Sequence, residues 1–508
     1  MLRAQRIRGR TMQLESSLAR IANYAGRALL ALLAAFAVAP PVHADIVSAF
    51  KDYKSGDYPH AFQEFLGLAQ LGQPLAQFDV ATMYHAGQGT PVNDTDAYAW
   101  AILAAANGEA RGKELAEAIR PKLPAGAEQT AASVTVAYTD AALQQTLLPD
   151  RSAARPAGWP FTPLDPAIDC ERSAVHIFIG NYPDAARRAH VQGTVIVQFT
   201  VMPDGIPRFP RIIQAVPSGL FEATVKASLL RSQFSRQRGG APVQCEMPYN
   251  FIFSNVTQDS IGDFETELGY KRSLPHIAQE GDPYAQLVYG LLMNGLPRKP
   301  GSPQNVSKEH SLMAADGLPW LVKAAQAGVP LAQYEVARSL LFGRGCWRDD
   351  AKGLKWLQMA AEQGQPDADV TLAWRLLRGT PSAANVSQAK EWLERGAAQS
   401  NENGIPNGGE DARLLLASIL AATPEASLRD PSRALTLLKS LHDVNEDPTP
   451  LEIRAAAQAA SGDFSHAIGS EQTAISRATL LSWDLSPLQQ RLSFYQSGKP
   501  WYGSLLEF

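Results

Sequence analysis

The chain carries few combinations of residues that could catalyse a reaction. It has no glycine-rich loop followed by Lys-Ser or Lys-Thr for a phosphate, no His-Glu-x-x-His for zinc, and no Gly-x-Ser-x-Gly turn for a nucleophilic serine. The pairs Gly87-Gln88-Gly89 and Gly343-Arg344-Gly345 lack the third glycine of a dinucleotide-binding loop. We therefore predict no catalytic residue and no cofactor, and we interpret the protein as a non-enzyme.

The histidines give no metal site either. The nine histidines are scattered, and no two of them lie at metal-ligand spacing beside a carboxylate. His176, close to Cys170, forms the only arguable metal pair, and a surface or packed histidine is the simpler interpretation. The sequence therefore predicts no bound metal.

The first 44 residues have the composition of an export signal. Six arginines precede an apolar run from Ala28 to Ala39, and Val42-His43-Ala44 offers a small-residue cleavage site. The run is shorter than a helix that spans a bilayer. We predict a cleaved signal peptide over 1–44, with a retained inner-membrane anchor as the alternative.

The net charge argues against two classes of partner. Without residues 1–44 the chain keeps 40 basic and 49 acidic side chains, a formal charge of −9. Such an acidic chain without a basic run is unsuited to nucleic acid or to anionic lipid. With 508 residues the chain is also too long for one core, so two to four units are expected.

Most of the chain is helical and repetitive. The series of residues from Gly72 to Gly108 recurs from Gly328 to Gly364, and Trp320, Trp356 and Trp392 follow one another at intervals of 36 residues. A fixed period of this length predicts stacked helical hairpins. We assign the tryptophans to the core of the stack rather than to a binding surface.

A different pattern runs from Tyr182 to Phe253. Residues from Gly193 to Val201 alternate between apolar and polar, which predicts a strand, and Pro203-Asp204-Gly205 predicts a turn. A second strand, a helix with one apolar stripe and a last strand follow, at Ile212-Ile213, at Phe221, Val225 and Leu229, and from Val243 to Phe253. This order predicts a small ββαβ module.

These residues resemble two known families. Tyr-Pro, the alternating strand with Asp-Gly, Pro-x-Gly-x-Phe and the closing aromatic strand resemble the TonB C-terminal domain, and the 36-residue units resemble Sel-one-like repeats, relatives of the tetratricopeptide repeat. The predicted fold class is an α+β multidomain chain, an α-helical repeat solenoid with an inserted ββαβ domain. The predicted domains are a signal peptide (1–44), N-terminal repeats (45–120), a linker with one helix (121–165), the TonB-like domain (166–256), further repeats (262–398) and a tetratricopeptide-like region with a capping helix (410–508).

The resemblance to TonB implies strand addition to a protein partner at the edge of the module. The candidate residues are Tyr182, Pro183, Val243, Tyr249, Phe251 and Phe253, although Phe251 and Phe253 fit the module's own core equally well. By resemblance the partner is an outer-membrane transporter or another envelope protein, with no small-molecule substrate and no nucleic acid. We therefore expect a non-catalytic periplasmic adaptor, with a membrane-anchored TonB-type energy transducer as the alternative. The internal position of the module and the lack of a long Pro-rich spacer argue against the transducer.

The cysteines fit an oxidising compartment. Cys170 precedes the module and Cys245 lies in its last strand, and a bridge between them would close a loop of about 75 residues. The alternative is a pair of buried thiols. Cys346, in a repeat turn, is expected to be an unpaired, packed thiol.

Overall fold

The computed structural model describes residues 45–151, 174–178, 180–188, 191, 193–216, 219–235, 242–251, 274–295, 317–378, 381–398, 409–441 and 446–505. The predicted signal peptide over 1–44, Cys170 and Phe253 lie outside these residues. Within those ranges, no helix combines enough length with enough hydropathy to span a membrane.

The N-terminal block consists of helices whose ends follow from local sequence. Asp45 and Asn93 begin two of them by accepting hydrogen bonds from first-turn backbone N–H groups. Gly56 ends the helix that Asp45 begins, and Gly87 ends another, both in the left-handed conformation with φ of 88° and 68°. The helices are α1 (Ile46–Ser55), α2 (Tyr58–Gln70), α3 (Pro74–Ala86), α4 (Asp94–Ala106), α5 (Arg111–Ile119), α6 (Ala127–Thr135) and α7 (Asp140–Thr146).

The module contains the strands of the described chain. They are β1 (Ala174–His176), β2 (Gly193–Val201), β3 (Pro207–Val216), β4 (Gln233–Phe234) and β5 (Val243–Phe251), with helices α8 (Asp184–Arg188) and α9 (Glu222–Leu230). Strands β3, β2 and β5 form an antiparallel sheet in that order, while β1 pairs with β4. Gly205 has a φ of 85° in the turn between β2 and β3, as the Asp-Gly pair predicts.

The later helices continue the repeats. They are α10 (Leu274–Gln279), α11 (Pro283–Gly295), α12 (317–326), α13 (Pro330–Phe342), α14 (Asp350–Glu362), α15 (Pro366–Leu377), α16 (Ala383–Ala398), α17 (Gly409–Ala422), α18 (Pro431–Lys439), α19 (Thr449–Ala460), α20 (Phe464–Leu480) and α21 (Ser486–Gln496). The predicted fold class, a helical repeat scaffold with a small inserted β module, is thereby confirmed.

The tryptophan period marks equivalent places in the repeats. Trp100 and Trp356 lie in the second helix of their hairpins and are 2% and 0% exposed, as expected for core residues. Trp320 and Trp392 are only half-buried. The ring of Trp320 packs edge-on against Tyr289, with ring centroids 5.2 Å apart. The assignment of the three periodic tryptophans to the core is therefore right for Trp356 and incomplete for Trp320 and Trp392.

The linker contains two helices, α6 and α7, rather than the one expected. The C-terminal end of α7 is held by side chains of α14. Lys352 Nζ donates to the carbonyls of Gln144 and Leu148 at 2.7 and 3.0 Å, and Trp356 Nε1 donates to the Leu147 carbonyl at 3.0 Å. A cation at a helix C-terminus also complements the helix dipole. The linker is therefore packed on the later repeats.

The two repeat blocks also meet at α1. The Ile46 N–H donates to the Ala327 carbonyl at 3.0 Å, and the Tyr284 hydroxyl donates to the Asp45 carboxylate at 2.6 Å. Residues from both blocks share apolar cores as well. The blocks on either side of the inserted module therefore form one packed scaffold.

One face of the module sheet packs on α9. Val195, Val197 and Phe199 of β2 contact Val225 and Leu229, and each of the five is at most 1% exposed. This arrangement confirms both the alternation predicted for β2 and the apolar stripe predicted for α9. The opposite face of the sheet is left for other contacts.

Candidate interaction site on the module sheet

Strand β5 lies at an edge of the sheet. It pairs with β2 along its whole length, and no other strand of the described chain pairs with it. Pro248 sits inside β5 opposite Ile196. Because proline is tolerated in a strand where its nitrogen points away from the neighbouring strand, the backbone groups of Pro248 face outwards. Alternate residues point the same way, so the N–H groups of Gln244 and Glu246 also face the outer side.

The side chains predicted to contact a partner have another role. Tyr249 and Phe251 are 8% and 7% exposed and belong to the apolar core under α9. The ring of Tyr182 packs edge-on against Phe251 at 5.6 Å, and Val243 is half-buried against the same core. These side chains alternate towards the helix because of the period of the strand. Phe251 therefore takes the core role that the sequence left open, and Tyr249, which was expected at the partner contact, lies in the same core. What β5 can offer a partner is its backbone.

The flanking Pro183 contributes to local structure. Its carbonyl accepts a hydrogen bond from the Arg187 N–H at 2.9 Å, which starts the short helix α8. Proline suits such a position because its fixed φ matches a helix start. The Tyr182-Pro183 pair thus positions the tyrosine ring over the module core and begins α8.

The opposite face of the sheet is covered by the repeats, which the sequence did not reveal. Gln198, Arg211 and Glu246 stand on this face in β2, β3 and β5, and the side chains of the last two are only 3% and 2% exposed. Charged residues are rarely buried to this degree without ionic partners. Their partners lie on α13, α15 and α17, far away in sequence.

Glu246 is held by two arginines of the repeats. Arg338 of α13 forms a buried ion pair with it, and Arg344 lies with Nη2 3.1 Å from Glu246 Oε2. Arg338 also donates to Glu335 at 2.7 Å. Burial raises the pKa of the Glu335 carboxyl to about 8. The strand β5 is therefore attached to α13 through its side chains, while its backbone edge points elsewhere.

Arg211 forms the second ionic contact. Its guanidinium lies 3.5 Å from Asp367 of α15 and 3.3 Å from Asp411 of α17, and it donates to Gln198 at 3.0 Å. Burial raises the pKa of Asp367 to about 7, although the charge of Arg211 opposes this shift. The contact thus includes a carboxyl that titrates near neutral pH.

The C-terminal helices complete the contact surface. The Arg208 guanidinium lies over the ring of Trp483, 4.2 Å from its centroid. Phe209 has a φ of 57°, which interrupts the regular register of β3 and directs its ring towards Trp374, with centroids 6.0 Å apart. The module therefore contacts the scaffold along most of one sheet face.

The cysteines are only partly described. Cys245 is 1% exposed and lies opposite Phe199 of β2. Because Cys170 is outside the described residues, the bridge between them remains a prediction. Cys346 is a free thiol that donates to the Ser339 carbonyl, and burial raises its pKa to about 12. This thiol is accordingly a packing group rather than a nucleophile.

Known proteins contain both kinds of segment. Residues 180–254 match the family model "Gram-negative bacterial TonB protein C-terminal", and 74–109, 330–365 and 366–401 match the Sel1 repeat model. Protein TonB of Klebsiella pneumoniae is 36% identical over 63 residues, which are 12% of this chain and 26% of that protein. The chain therefore spans about a quarter of the length of that relative.

Two solved structures are also similar. A Sel1 repeat protein from Oxalobacter formigenes aligns with 48% of this chain and 97% of its own, at 18% identity and a TM-score of 0.32. A protective antigen of uropathogenic Escherichia coli with an SLR fold aligns with 90% of this chain and 65% of its own, at 15% identity and a TM-score of 0.31. From the family matches, the predicted resemblances are confirmed: this chain combines a TonB C-terminal segment with Sel1 repeats on both sides of it.

Proposed function

We propose that this protein is a non-catalytic adaptor of the bacterial envelope, which binds an extended segment of a partner protein along the outer side of β5. The observation that carries the proposal is that the side chains and the backbone of β5 make different contacts. Its apolar side chains fill the module core, its Glu246 side chain attaches it to the repeats, and its outer backbone groups face away from β2. Both matched families are interaction modules.

Strand addition suits this edge. Each backbone hydrogen bond to a partner strand contributes about 1 kcal/mol net, so a segment of several residues binds with useful affinity. The missing N–H of Pro248 removes one donor from the middle of the edge. Such an interrupted edge also resists pairing with a second copy of the same strand, which protects the protein from aggregation.

The resemblance to TonB supports a periplasmic location and an outer-membrane transporter, or another envelope protein, as the partner. The ionic contacts of Arg211 and Glu246 favour the adaptor over the energy transducer, because they fix the module face to a scaffold of repeats. In the transducer alternative, residues 1–44 would remain as an inner-membrane anchor.

A proline substitution tests the binding edge. Gln244→Pro removes an outward N–H without removing a bond to β2, whereas Gln244→Ala keeps that N–H and serves as the matched control. After chemical crosslinking in the periplasm, we expect adducts from the wild type and from Gln244→Ala. We expect a several-fold lower yield from Gln244→Pro at an unchanged circular dichroism spectrum. Equal adduct yields from the two variants would exclude β5 as the binding edge.

Cell fractionation tests the location. We expect a mature chain that begins near Asp45 in the soluble periplasmic fraction. Recovery of a chain that retains residues 1–44 in the inner membrane would instead support the transducer.

A further inference from the structure

Three potential metal ligands converge in the first helical hairpin. Asp52 stands on α1, and His60 and Glu64 stand on α2. One ligand atom from each, a ring nitrogen and two carboxylate oxygens, lies within 4.8 Å of the others. His60 and Glu64 are four residues apart, which places them on one face of the helix. The spacing of the histidines in the sequence does not indicate this group, because it contains one histidine and two carboxylates.

The environment of Glu64 calls for a cation. The residue is 2% exposed, yet among the described residues its carboxylate receives hydrogen bonds only from the Ser48 hydroxyl, at 3.0 and 3.1 Å. A buried carboxylate is costly unless cationic neighbours compensate it, and the imidazole of His60 lies beside this one. His60 Nδ1 is directed at the Asp52 carboxylate on the exposed side of the same cluster.

We infer that the α1–α2 hairpin binds a divalent transition-metal ion of the Zn²⁺ type through His60, Asp52 and Glu64. One imidazole nitrogen and two carboxylate oxygens form a ligand set that Zn²⁺ accepts, with the remaining coordination position left to water. The ion replaces the proton held between His60 and Asp52, so binding releases a proton to the solvent. It also joins α1 to α2 across their connecting turn at Gly56.

Another histidine–carboxylate pair supplies a matched control. His85 Nδ1 lies 2.6 Å from Asp94 Oδ1 in the hairpin of α3 and α4, with similar exposure of the two side chains. It belongs to no group of three metal ligands within the described chain. If a single histidine–carboxylate pair were sufficient, the two places would bind the ion equally.

The test is calorimetric titration of metal-free, tag-free protein with Zn²⁺. We expect one site per chain, with the heat of binding dependent on the ionisation enthalpy of the buffer because a proton is released. His60→Ala is expected to weaken binding by about tenfold or more, and His85→Ala to leave it unchanged. Glu64→Gln preserves the shape of the side chain and its hydrogen bond to Ser48, so it should fold and still lose affinity.

Three results would overturn the assignment. They are the absence of a Zn²⁺ site at millimolar ion, binding that survives both His60→Ala and Glu64→Gln, and an equal loss of affinity in His60→Ala and His85→Ala. Substitution of Co²⁺ for Zn²⁺ gives a second measurement. A visible absorption band in the wild type that is missing from Glu64→Gln supports the assignment, and an identical band in both contradicts it.

Discussion

Two repeats of this protein have the same internal frame but different surroundings. In the hairpin α3–α4, Gln77 donates to the Ala69 carbonyl at 3.1 Å; in the hairpin α13–α14, the equivalent Gln333 donates to the Ala325 carbonyl at 3.3 Å. In both hairpins the residue after the second helix donates to this glutamine at 2.9 Å. The frame therefore depends on buried side chain to backbone bonds that each repeat preserves.

The two hairpins differ in the side chains that point away from the repeat and contact other parts of the protein. Arg338 and Arg344 of the later hairpin hold Glu246 of the module, whereas the equivalent positions of the earlier hairpin carry the uncharged Thr82 and Gln88. In each repeat, therefore, one set of positions stabilises the stack of helices and another set determines what the repeat binds. In this protein, two arginines distinguish a repeat that holds the module from one that does not.

Giving the later repeat the residue of the earlier one should have the largest effect. Arg338→Thr leaves Glu246 buried with Arg344 as its remaining partner, and we expect a loss of about 3 kcal/mol in the free energy of unfolding, measured with urea. As a control, Glu246→Gln added to Arg338→Thr should recover at least half of this loss. A loss below about 1 kcal/mol would show that the ion pair does not secure the module.

A smaller effect is expected from pH. The pKa of Asp367 is about 7 in the folded protein and near its ordinary value of 3.8 when unfolded. The resulting stabilisation is full below about pH 4 and is lost as the pH rises through 7. The groups that surround Asp367 are Arg211, Arg338, Asp411, Gln365, Tyr334, Glu335 and Asp369.

The comparison variant is Asp367→Asn, which cannot titrate. Between pH 5 and 7 the unfolding free energy of the wild type should fall by about 1–2 kcal/mol relative to this variant. Denaturant unfolding at several pH values measures the difference. Parallel pH profiles for the two proteins would mean that Asp367 carries its charge throughout this range.

The reciprocal exchange should have the smallest effect. Thr82→Arg gives the earlier repeat one arginine of the later one, but none of the described strands of the module packs against α3 to supply a buried carboxylate. Since Thr82 is half-buried and borders solvent, we expect a change within about 0.5 kcal/mol in thermal or urea unfolding. A larger stabilisation would show that this face of the N-terminal repeat also holds an acidic group.

The sequence predicted the elements better than their contacts. The 36-residue period found the hairpins, and the alternation from Gly193 to Val201 found the central strand, because both patterns reflect local geometry. In β5, by contrast, Phe251 suits a partner or a core equally, and only the position of α9 decides between them. The sequence predicted one helix in the linker instead of two, because the prolines that precede α6 suggested an irregular segment there.

The ionic face of the module could not be predicted. Arg211 and Asp411 are 200 residues apart, and a polar residue in a strand has the same pattern whether it faces water or another domain. Likewise, the cluster at His60 depends on a carboxylate from the preceding helix. One local signal is the charge of Arg211, which lies between Pro210 and the apolar Ile212. An exposed strand accepts any polar residue at this position, so the charge alone does not identify a buried ion pair.

The hydrogen bonds between α14 and the end of α7 have a consequence for folding during synthesis. The carbonyls at the end of α7 have no hydrogen bonds from Lys352 and Trp356 until these residues are synthesised, about 200 residues later. Pairs so distant in sequence slow folding, and the leading part of the chain emerges with its docking surface uncovered. A fragment that stops at Arg151 should therefore be bound by chaperones and cleaved readily by proteases, and production of this protein depends on completing its last repeats.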